Sequence, residues 1–195
     1  LPLDVTDAAK LAVVVKNFVK QKKPIDKIIY CAGAYEPMGL DNFDLAKGKQ
    51  ILEINLMGAI NLIAAIQLNL DALQLNHIAI VGSVAGYFGM PNSMCYGASK
   101  AGLIHLTESL YHELKPKNIK VQIINPGFVK TRLTDKNKFN MPGIINAERA
   151  AQIIVRFLKT NKYELHFPKS FTLMLKFIQF LPYFIRLSII NKIIK

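Results

Sequence analysis

His77-Ile78-Ala79-Ile80-Val81-Gly82-Ser83-Val84-Ala85-Gly86 reads as a short apolar run that stops at a loop of small residues. A run of this length, closed by glycine, fits a strand buried on both faces; a core helix needs ten residues or more. Three other runs share its character: Lys27-Ile28-Ile29-Tyr30-Cys31-Ala32, Lys120-Val121-Gln122-Ile123-Ile124 and Tyr163-Glu164-Leu165-His166-Phe167. Between them lie stretches of helical period: Asp7 to Lys20 with Thr6 as its cap, Asp44 to Asn69, Tyr96 to Leu114, and Ala147 to Lys159. Strands that alternate with helices form βαβ units, so the expected class is α/β, a parallel sheet covered on both faces. In such a sheet ligands bind where strands end. The loops there are Cys31-Ala32-Gly33-Ala34, Gly82 to Gly86, and Asn125-Pro126-Gly127.

Composition bounds the rest. The chain has 195 residues, of which 51% are hydrophobic and 19% charged, which excludes intrinsic disorder and suits one domain. Twenty-five Lys and Arg against 13 acids give a net charge of +12, so an anionic partner is expected, either nucleic acid or a membrane surface. Two cysteines, Cys31 and Cys95, make no disulfide framework and point to a reducing compartment. No signal peptide is expected from these residues, and the opening Leu1-Pro2-Leu3-Asp4 reads like the interior of a longer segment.

The candidate chemistry lies at Tyr96-Gly97-Ala98-Ser99-Lys100, which stacks a phenol and an ammonium on one helical face. A nearby cation favours phenolate and lowers the phenol's pKa, bringing a proton donor toward neutral pH. Tyr111 and Lys115 repeat the spacing, but Lys115 precedes Pro116, and that pair reads as a solvated helix end. Ser83, thirteen residues before Tyr96, supplies a hydroxyl inside a glycine-rich loop. Asn55 falls mid-helix, where an amide competes with the backbone, and reads either as a satisfied buried amide or as the holder of a water in a proton path. His105, Glu108 and His112 share a helical face without further ligands, so no metal site is expected. Gly82 to Gly86 is not a serine-hydrolase elbow.

The set Asp4-Val5, Ala32-Gly33, Asn55, Ser83, Tyr96-x-x-x-Lys100 and Pro126-Gly127-Phe128-Val129-Lys130-Thr131 resembles the short-chain dehydrogenase/reductase family, in order and spacing, from Leu1 to about Phe167. The resemblance implies a Rossmann-like doubly wound sheet over residues 1–168 and an NAD(P)-dependent oxidoreductase. It implies Tyr96 as general acid/base, Lys100 as the cation beside it that also bonds the nicotinamide ribose, Ser83 as the group that orients the carbonyl, and Asn55 as the relay residue. Ala32 and Gly33 would join the cofactor site. Pro126, Gly127 and Val129 would line the nicotinamide pocket, Thr131 would contact the carboxamide or phosphate side, and Asp4 and Val5 would lie by the adenine. The choice between NAD and NADP stays open, because the residue that decides it follows the family's second strand. A dimer or tetramer is implied as well.

Two departures accompany the resemblance. Cys31 stands where the family has Asn, and is expected to be a small buried residue. No two of the eleven glycines are two residues apart, so the G-x-G of a phosphate-cradling turn is missing. The first two βα units of the family are therefore expected to precede this sequence, a truncated relic being the alternative, and Lys27–Ala32 is expected to carry an unpaired apolar edge.

Residues 169–195 are set apart as a basic amphipathic helix bent at Pro182. From Leu165 onward there are five basic residues, no acids, and five of the eleven Phe. The longest charge-free run, Phe177 to Ile185, is far short of the roughly 20 residues of a spanning helix. A polar stripe of Thr172, Lys176, Gln179 and Arg186 within a wide apolar face suits a membrane interface, with cations toward anionic headgroups, better than nucleic acid. Packing on the domain or on a second copy is the other reading. The chain is then expected to be cytoplasmic and peripheral to a membrane. Arg132 to Asn146 would form an apolar lid over a hydrophobic carbonyl or alcohol substrate, lipid-, sterol- or long-chain keto-like. The alternatives are a non-catalytic membrane-associated scaffold on the same fold, and an epimerase or dehydratase using the same Tyr/Lys pair.

Overall fold

The computed structural model describes residues 2–22, 24–137 and 139–193. Helix α1 (Ala8–Lys20) leads to β1 (Lys27–Tyr30), then α2 (Leu45–Leu52), a π-helical turn (Glu53–Met57), α3 (Gly58–Gln67) and α4 (Leu70–Leu73). β2 (His77–Val81), α5 (Met94–Leu114), β3 (Lys120–Pro126) and β4 (Val129–Lys130) follow. β5 (Ile145–Asn146), α6 (Ala147–Leu158), β6 (Glu164–Phe167), α7 (Lys169–Phe180) and α8 (Tyr183–Ile193) complete the chain. The main sheet has the order β1-β2-β3-β6 and every pair in it is parallel. The expected α/β, Rossmann-like architecture is therefore the observed one.

The apolar runs explain the layers. Ile78, Ile80 and Val121 face a core shared with Leu11 and Val15 of α1, Ala65 and Ile66 of α3, and Leu103 of α5. Ala79 and Ile124 point to the opposite face, where they meet Ala150, Phe157 and Leu158 of α6. Alternate residues of β2 and β3 thus serve two cores, and each buried aliphatic side chain contributes about 1.5–3 kcal/mol. The run Leu45–Gln67 is long and apolar enough to cross a membrane by length and composition. Here it folds as α2, the π turn and α3, against α5 and α1.

Helix ends follow local chemistry. Asp7 caps α1 by accepting from Lys10 N at 2.9 Å, which corrects the expectation for Thr6; the Thr6 hydroxyl is held by Asp4 at 2.8 Å. Asp44 caps α2 through Lys47 N, and Asn146 caps α6 through Arg149 N. β1 ends two residues earlier than its apolar run, and no strand among the described residues pairs with its outer edge. Ile29 on β1 is 47% exposed. Cys31, just beyond β1, is exposed, contrary to the buried position expected of it, because that edge has no neighbouring strand to cover it.

The segment after β6 is two helices, broken at Leu181-Pro182, and its orientation reverses the headgroup-facing stripe. Thr172 is fully buried, and its hydroxyl meets His166 Nδ1 at 2.6 Å. Lys176 pairs with Glu164, and Leu175 packs on Val84 and Tyr87. Arg186 folds back to the Gln179 carbonyl at 3.0 Å, over the Tyr183 ring. Two of the four stripe residues thus attach α7 to the domain and Arg186 turns onto the chain itself, while Phe177, Phe180, Phe184 and Leu187 face outward. A helical wheel separates two faces; a long-range partner such as Glu164 decides which one the domain takes.

Gly86 brings the loop after β2 against α5. A Cβ there would lie 2.7 Å from the Lys100 carbonyl carbon and 2.8 Å from Ala101 N, both backbone atoms. Gly86→Ala is expected to destabilise the fold by about 1–3 kcal/mol, as overpacking does. Gly89→Ala, with nothing within 4 Å of its Cβ, should stay within about 0.5 kcal/mol of the parent when both variants are unfolded in urea.

Candidate active site

The C-terminal ends of β1, β2 and β3 point to one edge, and the candidate residues gather there. Ser83 follows β2 and its Oγ accepts from Ala85 N at 3.1 Å, which leaves the hydroxyl proton free to donate. Tyr96 lies in the first turn of α5. Both line an apolar cavity of about 140 Å³ together with Tyr35, Met90, Gly127, Phe128, Phe139 and Phe171. Phe128 packs against Phe139 at 5.8 Å and Phe171 at 5.5 Å between ring centroids, so lid, strand-end loop and α7 each contribute an aromatic wall.

Lys100 is buried one turn behind Tyr96. Its Nζ donates to the Val81 carbonyl at 3.0 Å and lies 5.7 Å from the centre of the Tyr96 ring. Tyr111 and Lys115 show the same 5.7 Å separation, so distance alone does not single out the site. Tyr111 packs on Tyr163 at 5.1 Å rather than forming a solvated end, whereas Tyr96 lines the cavity with Ser83. Burial raises the Tyr96 phenol above its ordinary value, with the Ser83 hydroxyl opposing. The lowering anticipated from Lys100 is not observed. Burial has drawn the ammonium itself down to about 8, with the Cys31 thiol opposing.

Asn55 occupies the π-helical turn, a helix irregularity common at functional sites. It is fully buried. Its Oδ1 accepts from Ala34 N at 2.6 Å, and its Nδ2 donates to Ala34 O at 3.0 Å and to Ser99 Oγ at 2.9 Å. The amide therefore clamps the loop after β1 to α5, with both of its protons committed. Ser99 in turn donates to the Tyr96 carbonyl at 2.7 Å.

The remaining candidates are more dispersed. A Cβ on Gly33 would lie 3.7 Å from Asn55 Oδ1 and 3.8 Å from Lys100 Nζ, so this backbone borders the lysine. A second cavity of about 310 Å³ adjoins Gly33 and Ala34 and extends to Gln50 and Lys136. Ala32 packs on the α1/α3 core, and Val129 on the α6 core. Pro126 ends β3, paired with Phe167 of β6. Thr131 is exposed; it is Thr134, three residues on, that lines the cavity. Asp4 and Val5 sit at α3, where Asn61 Nδ2 donates to Val5 O at 3.2 Å, away from both cavities.

Three contributors were missed from sequence: Tyr35, Phe171 and Glu164. Glu164 Oε1 accepts from Tyr87 at 2.7 Å and Asn125 at 2.9 Å, while Oε2 takes Lys176. Burial pushes the Glu164 carboxyl up, but these donors outweigh it and leave it below its usual value. One carboxylate thus joins the Ser83 loop, the end of β3 and α7. Tyr35 stands one residue past the Cys31–Ala34 loop, and that proximity is its only signal in the sequence.

Residues 1–141 match the short chain dehydrogenase family, and the chain belongs to this family of oxidoreductases. It is 30% identical over 170 residues to a 3-oxoacyl-[acyl-carrier-protein] reductase of Buchnera aphidicola, covering 82% of this chain and 69% of that protein. An uncharacterized oxidoreductase of Myxococcus xanthus is 27% identical over 180 residues, covering 92% and 71%. The fold is similar to that of a short chain dehydrogenase from Burkholderia cenocepacia in complex with NADP, with a TM-score of 0.79, 21% identity, and coverage of 90% of this chain and 73% of that one.

Lys100 yields a pH-dependent stability. In the unfolded chain it keeps its proton to about 10.5, in the fold only to about 8. Between these values the unfolded state binds more protons, so the Lys100 contribution to stability rises with pH across that window. Urea unfolding at about pH 7.5 and 9.5 should show that slope in the parent and a flatter one in Lys100→Met; equal slopes would refute the burial cost.

Proposed function

We propose that this chain carries the chemistry of an NADP- or NAD-dependent oxidoreductase. It reduces a carbonyl, or oxidises the matching alcohol, on a hydrophobic substrate. The single observation carrying this reading is that the Ser83 and Tyr96 hydroxyls share one aromatic-walled cavity, with the Lys100 ammonium buried behind them. The similarity to the Buchnera 3-oxoacyl-[acyl-carrier-protein] reductase supports a keto substrate on an acyl chain.

The residues fit the nicotinamide half of the cofactor. Among the described residues the Lys100 ammonium has one acceptor, the Val81 carbonyl, and it borders the exposed backbone of Gly33, from which the second cavity extends. Gly33, Lys100, Pro126 and Gly127 would hold that half, with Val129 and Thr131 at the lid base; Ala32, Asp4 and Val5 would fall on the adenine side. When bound, the nicotinamide supplies the hydride. In the reductive direction the Ser83 hydroxyl donates to the substrate oxygen and orients it. The Tyr96 phenol gives its proton to that oxygen as negative charge develops, with the Ser83 hydroxyl as the group that favours its release. Asn55, its amide protons committed, has one lone pair on Oδ1 for a relay water. Oxidation runs the same transfers in reverse.

Tyr96→Phe keeps the ring and removes the proton. NADPH-dependent reduction of a 3-oxo-octanoyl thioester by the full-length protein should fall by about a thousandfold, with NADPH binding, read by fluorescence, little changed. Undiminished turnover would reject the assignment.

The outward face of α7 and α8 supports a membrane surface as partner, and with it a cytoplasmic, peripheral location. Phe177, Phe180 and Phe184 are 68%, 86% and 76% exposed, and Lys169 and Lys192 are exposed on the same two helices. Inserting each Phe is worth about 1.5–3 kcal/mol, and cations add attraction to anionic headgroups. The triple variant Phe177→Ser, Phe180→Ser, Phe184→Ser should leave phosphatidylserine-containing vesicles for the supernatant in sedimentation, with its urea midpoint preserved. Retention on the vesicles would remove the lipid role.

A further inference from the structure

Tyr35 touches both the Tyr96 ring and the lid over the cavity. Its ring meets Tyr96 edge to face, with centroids 4.8 Å apart and planes at 73°. Its hydroxyl donates to Asn137 Oδ1 at 2.7 Å, across 102 residues of sequence. The adjoining backbone joins in: Lys136 Nζ donates to the Tyr35 carbonyl at 3.0 Å and pairs with Glu36 at 2.7 Å. We propose that Tyr35 is a positioning residue, one that couples closure of the lid between β4 and β5 to the orientation of Tyr96. The inference rests on the reading of Tyr96 as the acid/base.

The mechanics follow from what holds each part. The two ends of the lid are fixed to each other by the β4–β5 pairing, Val129 with Ile145 and Lys130 with Asn146. Its middle reaches the loop after β1 through Lys136 and Asn137. That loop is itself anchored, since Asn55 grips Ala34 at both its N–H and its carbonyl. Tyr35 therefore projects from a fixed base, with its ring against Tyr96 and its hydroxyl on the lid segment. Burial, aided by Tyr96 and Glu36, pushes the Tyr35 phenol up to about 12. It stays a protonated donor to Asn137 near neutral pH. With the lid shut the Tyr35 ring bars Tyr96 from swinging toward the loop; with the Asn137 bond broken that restraint loosens.

Two variants separate the two contacts. Tyr35→Phe keeps the ring and loses the lid bond, so KM for the 3-oxo-octanoyl thioester should rise about fivefold with a smaller loss of kcat. Tyr35→Leu loses the ring as well, so kcat should fall by about a further tenfold, a loss that Phe at the same position restores. The lid is read without turnover, by trypsin cleavage at Arg132 and Lys136 followed by mass spectrometry in the full-length protein. Tyr35→Phe and Asn137→Ala should each speed that cleavage several-fold, and the double variant no more than either. The proposal falls if Tyr35→Phe matches an active parent in both cleavage and KM, or if Tyr35→Leu keeps its kcat. A parent inert toward the thioester, with Tyr35→Phe still loosening the lid, would instead overturn the acid/base reading and with it the positioning role.

Discussion

A pair of parallel strands buried on both faces, β2 beside β3, determines where the other elements can go. Parallel neighbours cannot be joined by a tight turn, so each must be followed by a crossover, and every strand ends at the same edge. Because Ala79 and Ile124 serve one core while Ile78, Ile80 and Val121 serve the other, both faces must be covered. The covering helices are α1, α3 and α5 on one side and α6 on the other. Ser83 and Gly127 stand at that common edge because the strands before them point the same way.

Packing polar groups at one edge of an apolar sheet is costly unless they are hydrogen-bonded. The Asn55 amide achieves this with three bonds that also fix Ala34 and, through Ser99, the first turn of α5. Lys100 is held by a single carbonyl and has the lowered ammonium pKa expected of a buried cation. The first arrangement is a structural clamp, and the second retains capacity for a ligand. The difference between them is visible in the count of bonds, not in the residue types.

What was legible in the chain was what is local. The bounds of β2 followed from an apolar run closed by Gly82, and the Ser83, Tyr96 and Lys100 cluster followed from spacing along one strand-loop-helix unit. Asn55 was conspicuous as a polar residue mid-helix, and it lies in a π turn. Contacts between distant segments left no such trace. Cys31 is exposed because of its place at a sheet edge, which composition does not encode. The partner of Lys176 is Glu164, on a strand whose alternation gave no hint of a carboxylate serving three segments. Tyr35 and Asn137 are a hundred residues apart, and each alone is an ordinary loop residue.

The Glu164 carboxylate also bears on how the molecule comes apart. Helices packed on the outside of a domain commonly open on their own, at a small fraction of the global unfolding cost. Here α7 cannot detach without stripping Lys176 from Glu164 and exposing a carboxylate still gripped by Tyr87 and Asn125. Those two residues belong to the loop beyond Ser83 and to the end of β3. Helix α7 and the sheet edge that carries Ser83 therefore form one cooperative unit, and damage to either is transmitted to the other.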